Sequence, residues 1–354
     1  MAAPITYIIP THERHGSLRR ALDYYRDVDA DILVADSSAQ ALPEAGSLPA
    51  RVSYRHFPGQ GYVQKLSQVA PMVETPFVVL CADDDFTVPR AVAACQAFLE
   101  ANPDCSSAQG DLLNALLEPG GIHLRPAYPQ ALEVRVESAL ATERLLEISS
   151  PYVPVNHAVH RVQSLRDYVR LAEGLENGNL LEMLFAFVAA IHGKHARLPM
   201  LFGVREAAPS GAAKDPNRRH GLDKVSTLPE HAAEYGRFVA AAAALLSERQ
   251  GLAPQAAEQA VRDAVALFAS RYCGQTRRRS FWSKLPKYFR RAKNRIAGRD
   301  PEGLALRAAD ESAVSSLLSG HQASAVGAGA VDDLMDILVR MSPGARVTPG
   351  SKGA

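Results

Sequence analysis

The sequence predicts an α/β fold: a mostly parallel sheet with helices on both faces, extended by a helical C-terminal region. Three observations carry that expectation. Short apolar runs of strand length alternate with segments of helical periodicity through roughly the first hundred residues, the pattern of a parallel sheet wrapped by crossover helices. The polar stretches "THERHG", "ADSS" and "ADDDF" each follow one of those runs, at the strand ends where such sheets gather ligands. After Glu206 the composition turns to long amphipathic segments rich in alanine and leucine.

Taken in order, "ITYIIP" (residues 5–10) reads as a short buried strand, and "GSLRRALDYYRDV" follows with Leu18, Ala21, Leu22 and Tyr25 at helical spacing behind Ser17, the expected N-cap. "DADILVADSS" is a second buried strand ending at Asp36, and "RVSYRHF" (residues 51–57) alternates as a third. A helix over residues 62–74 leads to a fourth strand, "PFVVLCA" (residues 76–82). "VPRAVAACQAFLEANP" then restarts a helix with Pro89 in its first turn, where a missing N–H costs nothing. Over residues 111–154, prolines and glycines around "EPGGIHLRPAYPQ" predict a loop or irregular insertion. "GNLLEMLFAFVAAIHGK" is a helix stopped by Gly193, "ARLPMLFGVRE" a further strand, and "APSGAAKDPNRRHG" a mobile loop. Two amphipathic helices follow between residues 230 and 274. The expected division is a unit over residues 1–206, a helical region over 207–345 and a poorly ordered tail over 346–354.

At 354 residues the chain allows two or three units of ordinary domain size. Its 47% apolar and 22% charged residues are those of a soluble globular protein and argue against wholesale disorder. The opening "MAAPITYIIPTHERHG" has no basic leader followed by an apolar core, which predicts a cytoplasmic protein. Apolar stretches such as "LLEMLFAFVAAI" fall short of the roughly 20 residues of a membrane span. Cys81, Cys95, Cys105 and Cys273 lack CxxC spacing and read as reduced structural thiols. The net charge of +1 conceals one strongly basic segment: residues 277–299 hold ten Lys or Arg and no acid, leaving 29 basic against 38 acidic residues elsewhere.

The chemistry concentrates in "VVLCADDDFTVP", where a buried strand runs into Asp83, Asp84 and Asp85. Neighbouring carboxylates repel, by about 1 kcal/mol at contact even in bulk water. A hard cation, Mg2+ or Mn2+, would offset that repulsion and bridge a diphosphate, since Mg2+ uses one or two carboxylates together with waters and phosphate oxygens. The plainer alternative is that Asp85 or Thr87 caps the next helix and the other acids are solvated loop residues.

Three stretches in order resemble the family 2 glycosyltransferases, whose GT-A fold is a Rossmann-like α/β architecture. "ITYIIPTHERHGSLRRAL" is similar to the opening strand and nucleotide-contacting loop of that family, "ILVADSS" to its second strand, and "FVVLCADDDFTVP" to the strand that delivers an Asp-x-Asp metal motif. The likeness covers roughly the first 110 residues and extends more weakly to about Glu206. It implies an inverting enzyme that takes a sugar from a nucleotide-sugar donor, a UDP-sugar above all, with Mg2+ or Mn2+. By the resemblance, Pro10, Thr11, Glu13 and Arg14 meet the base or phosphates, Asp36 contacts the nucleobase, and Lys65 lies near the donor. Asp84 is then the metal ligand, Asp83 sits near the ribose or shares the metal, and Asp85, a neighbouring or outer acid, is the third candidate at the metal. Ala82 stands where many members carry the first Asp of the motif. The bland readings are a solvated turn for Thr11 to Arg14, a turn cap for Asp36 and a solvated helix face for Lys65.

The resemblance also asks for a general base. Glu182 is the candidate, with Leu181, Met183 and Leu184 around it to raise its pKa, although "NLLE" also reads as a capping box with Asn179 as N-cap. Asp111 is a second candidate, as base or for acceptor binding. His157 and His160 could share one helical face and read as structural histidines. The segment "TRRRSFWSKLPKYFRRAKNRIAGR" interleaves aromatic residues with cations, as interfacial helices on anionic membranes do. It suits a saccharide or lipid-linked acceptor at the inner face of a membrane, or else packs on its own catalytic domain; no nucleic-acid module accompanies it. Two other functions compete. "DDDFT" is similar to the Asp-x-Asp-x-Thr of haloacid-dehalogenase-like phosphatases with Asp83 as nucleophile, but that motif closes a first strand and here closes a fourth. A non-enzymatic peripheral membrane adaptor is the other.

Overall fold

A computed structural model describes residues 4–118, 121–131, 134–206, 220–283, 304–306 and 329–341. Its heart is four parallel strands: β1 (Ile5–Thr11), β2 (Asp31–Asp36), β3 (Val52–His56) and β4 (Phe77–Leu80). β1 pairs with β2 on one side and β4 on the other, and β3 adds to β2. The chain thus steps outward from β1 to β3 and returns across β1 to lay down β4. That reversal is a topological switch point, and the crevice beyond the carboxyl ends of β1 and β4 is where such a sheet binds ligands.

The apolar runs of these strands serve two cores at once. Ile8, Leu33, Val78 and Leu80 face one core, while Tyr7, Ile9, Val34 and Val79 face the other, as the two-residue period of a strand requires. With both faces covered, the strands read as continuous apolar segments rather than alternating ones. β3, at the edge, alternates between half-buried and exposed residues.

The parallel half is joined to an antiparallel half. β5 (Phe86–Thr87), β6 (Cys105–Glu118), β7 (Gly121–Pro126), β8 (Val159–Arg161), β9 (Lys194–Glu206) and β10 (Leu304–Leu306) complete one mixed sheet. Its order is β10-β7-β6-β8-β4-β1-β2-β3, with β9 lying parallel on β6 and antiparallel to β5. The parallel pairings of the mostly parallel sheet expected from the sequence lie in the first four strands and in the β6–β9 pair, and the remaining pairs are antiparallel. The expected irregular insertion over residues 111–154 is largely regular: it holds most of the β6–β7 hairpin and a helix over Ala141–Ser149. Prolines and glycines signal only the turn and the chain beyond it. Where β9 crosses β5, Gly203 is required for room, since a Cβ there would lie 2.6 Å from Phe86 O.

The helices are α1 (His15–Tyr24), α2 (Tyr62–Val69), α3 (Pro89–Ala101), α4 (Ala141–Ser149), α5 (Val162–Leu171), α6 (Gly178–His192), α7 (Leu222–Val225), α8 (Ala232–Gln250), α9 (Pro254–Ser283) and α10 (Ala330–Met341). α8 and α9 bury Phe238, Ala242, Leu245 and Leu246, and Ala257, Val261 and Ala264, in the same core as α6. α10 buries Leu334 and Ile337 in the opposite core and is tied to the first half of the chain by the ion pairs Arg90–Asp333 and Arg340–Asp23.

Three capping expectations are corrected. α1 starts one turn early, with Arg14 at the N-cap and Ser17 inside the helix. α3 starts at Pro89 behind Val88 with no side-chain cap, so neither Asp85 nor Thr87 caps it. α6 is capped by Asn177, whose Oδ1 accepts from the backbone N–H groups of Asn179 and Leu180 at 3.0 and 3.3 Å. Glu182 is thereby released from the capping box that "NLLE" suggested. Gly193 does end α6, with extended φ of 178°; a Cβ there would lie 2.6 Å from Asp104 O. Cys81, Cys95 and Cys105 are buried free thiols. Among the described residues no helix is long and apolar enough to cross a membrane. The loop over 207–219, the tail over 346–354 and the side chains of the basic segment 277–299 lie outside the described residues.

Candidate active site

At the switch point, Thr11 closes β1 and donates from Oγ1 to Asp83 Oδ2 at 2.6 Å, joining the two strands across the crevice. The loop that follows turns through Glu13 at φ 54°, a left-handed conformation that costs a non-glycine residue about 1–2 kcal/mol. Two bonds to the end of β2 hold it there: Glu13 N–H donates to Ser38 Oγ at 2.7 Å, and Glu13 Oε1 accepts from Ala39 N–H at 2.6 Å. Pro10 lies half-buried beneath, inside β1. Thr11, Glu13 and Arg14 are therefore a fixed rim rather than a loose turn.

The three aspartates divide two and one. Arg14 Nη2 lies 3.1 Å from Asp83 Oδ1 and is also paired with Asp84 Oδ2. Burial pushes the Asp83 carboxyl up, against the pull of Thr11 and Arg14. Burial disfavours the Arg14 charge, yet Asp83 and Asp84 outweigh it and raise the guanidinium further. Two carboxylate oxygens from adjacent residues thus converge on one cationic nitrogen. The donor set suits Mg2+ or Mn2+, since one or two hard oxygens are what the protein supplies when phosphates and waters complete the shell. The Arg14 side chain is 46% exposed and so has room to yield the place.

Asp85 points elsewhere. Its Oδ2 accepts from Arg205 Nε at 3.3 Å and its Oδ1 from Glu206 N–H at 3.1 Å, so both oxygens hold the end of β9. Burial pushes its carboxyl up to about 6, against Arg205. His157 Nε2 lies 3.9 Å from Asp85, and burial together with Arg205 drives that imidazole down to about 3, so it is neutral near pH 7. Arg205 also donates to Tyr128 Oη and lies over the Tyr128 ring.

Asp36 is enclosed. Its Oδ2 accepts from His15 Nε2 at 2.9 Å and Tyr54 Oη at 2.5 Å, and its Oδ1 from Ser38 N–H at 2.8 Å. Burial alone would raise it, but these bonds outweigh burial and hold it below the usual carboxylate range. With no exposed surface, Asp36 sets the positions of His15, Tyr54 and Ser38 at the rim.

Lys65 is buried rather than solvated. Its Nζ donates to Thr11 O at 2.5 Å and Ser37 Oγ at 3.1 Å, bracing the ends of β1 and β2 from below. Burial pushes it from its ordinary 10.5 down to about 8, with Asp36 and Asp83 pulling the other way. Between those two pH values the unfolded chain binds more protons than the folded one, so stability rises with pH across that window by an amount on the order of 2–3 kcal/mol. Lys65→Met should remove that rise, read as urea midpoints across the window; a rise of equal size in the variant would contradict the buried placement.

The two base candidates lie in different surroundings. Glu182 is half-buried in the second turn of α6 and is among the charges that stabilise Arg205, the partner of Asp85. Asp111 lies within β6 and accepts from Arg197 Nε at 2.7 Å in a separate pocket with Gln109 and His195. His160 donates from Nε2 to Val155 O at 2.7 Å within the core, the structural role expected, but it lies on β8 and shares no helical face with His157. Arg205, Tyr128, His15 and Tyr54 are not singled out by the sequence, and His157 is read there only as a structural histidine, without its place beside Asp85. Arg205 alone left a local signal, as a cation ending an apolar strand.

The described geometry can be set beside known proteins. No protein-family model matches the sequence, and no curated protein matches it. Among solved structures, S. aureus TarS 1–349 in complex with UDP-GlcNAc superposes with a TM-score of 0.53 at 13% identity, covering 96% of this chain and 90% of that one. The fold is of the GT-A type. A longer S. aureus TarS chain is matched over 55% of its length and 76% of this chain, at a TM-score of 0.43 and 14% identity. Glucosyl-3-phosphoglycerate synthase from Mycobacterium tuberculosis, in complex with Mn2+, UDP-glucose and phosphoglyceric acid, is matched at 0.36 and 14%, covering 71% of this chain and 81% of that one. The GT-A assignment rests on the first of these.

Proposed function

We propose that this GT-A protein is a metal-dependent inverting glycosyltransferase that moves a sugar from a nucleotide-diphosphate donor, a UDP-sugar, to an acceptor hydroxyl. The observation that carries the reading is the convergence of Asp83 and Asp84 on a single cationic nitrogen at the switch point of the sheet. TarS 1–349, which shares the fold, is seen with UDP-GlcNAc, in keeping with a nucleotide sugar here.

Asp84 and Asp83 would hold Mg2+ or Mn2+, which supplies a Lewis-acid contact to the diphosphate and stabilises its departure. Arg14 leaves the carboxylates and pairs with a phosphate oxygen, a geometry its planar fork is suited to. Thr11 keeps Asp83 oriented, and Lys65 holds Thr11 and Ser37 in place behind the donor. Asp36 acts on the nucleobase through the rim residues it fixes. Glu182 takes the proton of the acceptor hydroxyl, leaving an alkoxide-like oxygen to attack the anomeric carbon from the face opposite the leaving diphosphate, which inverts the configuration. Asp85 holds β9 and Arg205 beside Glu182, a positioning role rather than a metal contact.

Residues 1–206 would carry the donor chemistry. The basic aromatic segment 277–299 suits a lipid-linked acceptor at an anionic cytoplasmic membrane face, as in surface polysaccharide or glycolipid assembly. Release of nucleoside diphosphate from a panel of nucleotide sugars with Mn2+ tests the reading. Turnover of at least one UDP-sugar is expected, and phosphatase activity without any nucleotide-sugar turnover would overturn it.

A further inference from the structure

Away from the switch point, His220, Glu230 and His231 bring three metal-ligating atoms together. His220 Nδ1 lies 2.9 Å from His231 Nε2 and 3.3 Å from Glu230 Oε1, and His231 Nε2 lies 3.6 Å from that same oxygen. Three ligands of a tetrahedral Zn2+, each at about 2.0–2.1 Å from the metal, are about 3.3 Å from one another, and the observed separations bracket that value. The two imidazole planes are nearly perpendicular, at 83°, so their nitrogens meet tip to tip without the rings stacking.

The three groups also stand on fixed supports. Leu222 and Val225 of α7, just after His220, are buried, and His220 O accepts from Asn179 Nδ2 at 2.8 Å. Beyond His231, Glu234 Oε1 accepts from the backbone N–H groups of Glu176 and Asn177 at 2.7 Å each. Both ends of the ligand-bearing segment are thus anchored to the start of α6, as a preorganised site requires. Two imidazole nitrogens and a carboxylate oxygen aimed at one another have few protons to share, whereas one cation satisfies all three lone pairs.

We propose that His220, Glu230 and His231 form a transition-metal site for Zn2+, with a further coordination position open to solvent on the side of the exposed Glu230. Its nitrogen ligands set it apart from the oxygen site at Asp83 and Asp84, because imidazole suits Zn2+ and its neighbours while Mg2+ demands oxygen. The site clamps the α7 segment onto the first turn of α6, one turn before Glu182.

The test uses the full untagged chain, stripped with a chelator, then titrated with Zn2+ against a chromophoric competitor and with Co2+ followed by visible absorption. The expected result is one equivalent of Zn2+ bound at micromolar affinity or better and the intense bands of four-coordinate Co2+. His231→Ala and His220→Ala should each lower Zn2+ affinity by at least about a hundredfold, while Asp84→Ala keeps that equivalent. The exposed Glu230→Gln, which cannot disturb the core, should weaken binding by a smaller factor and alter the Co2+ bands. Absence of micromolar Zn2+ binding in the wild type, or retention of the same equivalent and spectrum by both histidine variants, would overturn the proposal. Loss on Asp84→Ala alone would overturn it too, since it would place the ion at the other acids. None of these outcomes depends on nucleotide, so failure here leaves the donor site standing.

Discussion

Asp84→Ala lowers nucleotide-sugar turnover by about a thousandfold, the equivalent of about 4 kcal/mol of lost transition-state stabilisation, and leaves the melting temperature unchanged or slightly raised. The combination follows from the placement of the carboxylate. Asp84 is one of the two acids that converge on a cation, it is partly exposed, and among the described residues it is ion-paired with Arg14 alone. Removing it relieves repulsion with Asp83, a group that burial already pushes up, so the folded state loses little. Asp85→Asn gives the reverse signature: a stability loss of about 1–3 kcal/mol, because its oxygens hold Arg205 and the Glu206 backbone, with a smaller effect on chemistry. Release of nucleoside diphosphate, measured beside thermal melts of both variants, separates the two roles. Full turnover in Asp84→Ala would remove it from the reaction.

Glu182→Gln lowers kcat by about a hundredfold to ten-thousandfold, the usual worth of a positioned general base, with donor KM little changed. The substitution keeps the size of the side chain and the start of α6, since Asn177 rather than Glu182 satisfies the first N–H groups of that helix. A folding defect is therefore not expected, and a melt within about 0.5 kcal/mol of wild type checks it. Asp111→Asn loses mainly the pairing to Arg197 and should retain most of its turnover. Should Asp111→Asn abolish turnover while Glu182→Gln leaves it intact, the base would lie on β6.

The parallel half of the fold was legible because strands buried on both faces must be apolar throughout, and "ITYIIP", "ILVAD" and "FVVLCA" are. Pro89 marked the start of α3 for an equally local reason. The β6–β7 hairpin was not legible. β6 pairs with β7, β8 and β9 along different stretches, so its sequence serves several environments and keeps no single period. At the site, the acids were legible as an accumulation of charge but not in their division. What separates Asp85 from its neighbours is Arg205, 120 residues away, which no local window contains. For Lys65 a solvated helix face stayed open beside a place near the donor, because the polar ceiling above it, Thr11 O and Ser37 Oγ, belongs to the ends of other strands. The His220–Glu230–His231 set was equally hidden, since the turn through α7 that brings His220 to His231, 11 residues on, leaves no metal-ligand spacing in the sequence.

Calorimetric titration of UDP into the wild type and Asp84→Asn, each with and without Mn2+, bears most directly on a cation site at the end of β4. UDP should bind the wild type at least about tenfold tighter with Mn2+ than without it, and the variant should lose that difference while keeping its metal-free affinity. An equal response to Mn2+ in both proteins, or UDP affinity that ignores the ion altogether, would contradict a metal held by Asp83 and Asp84.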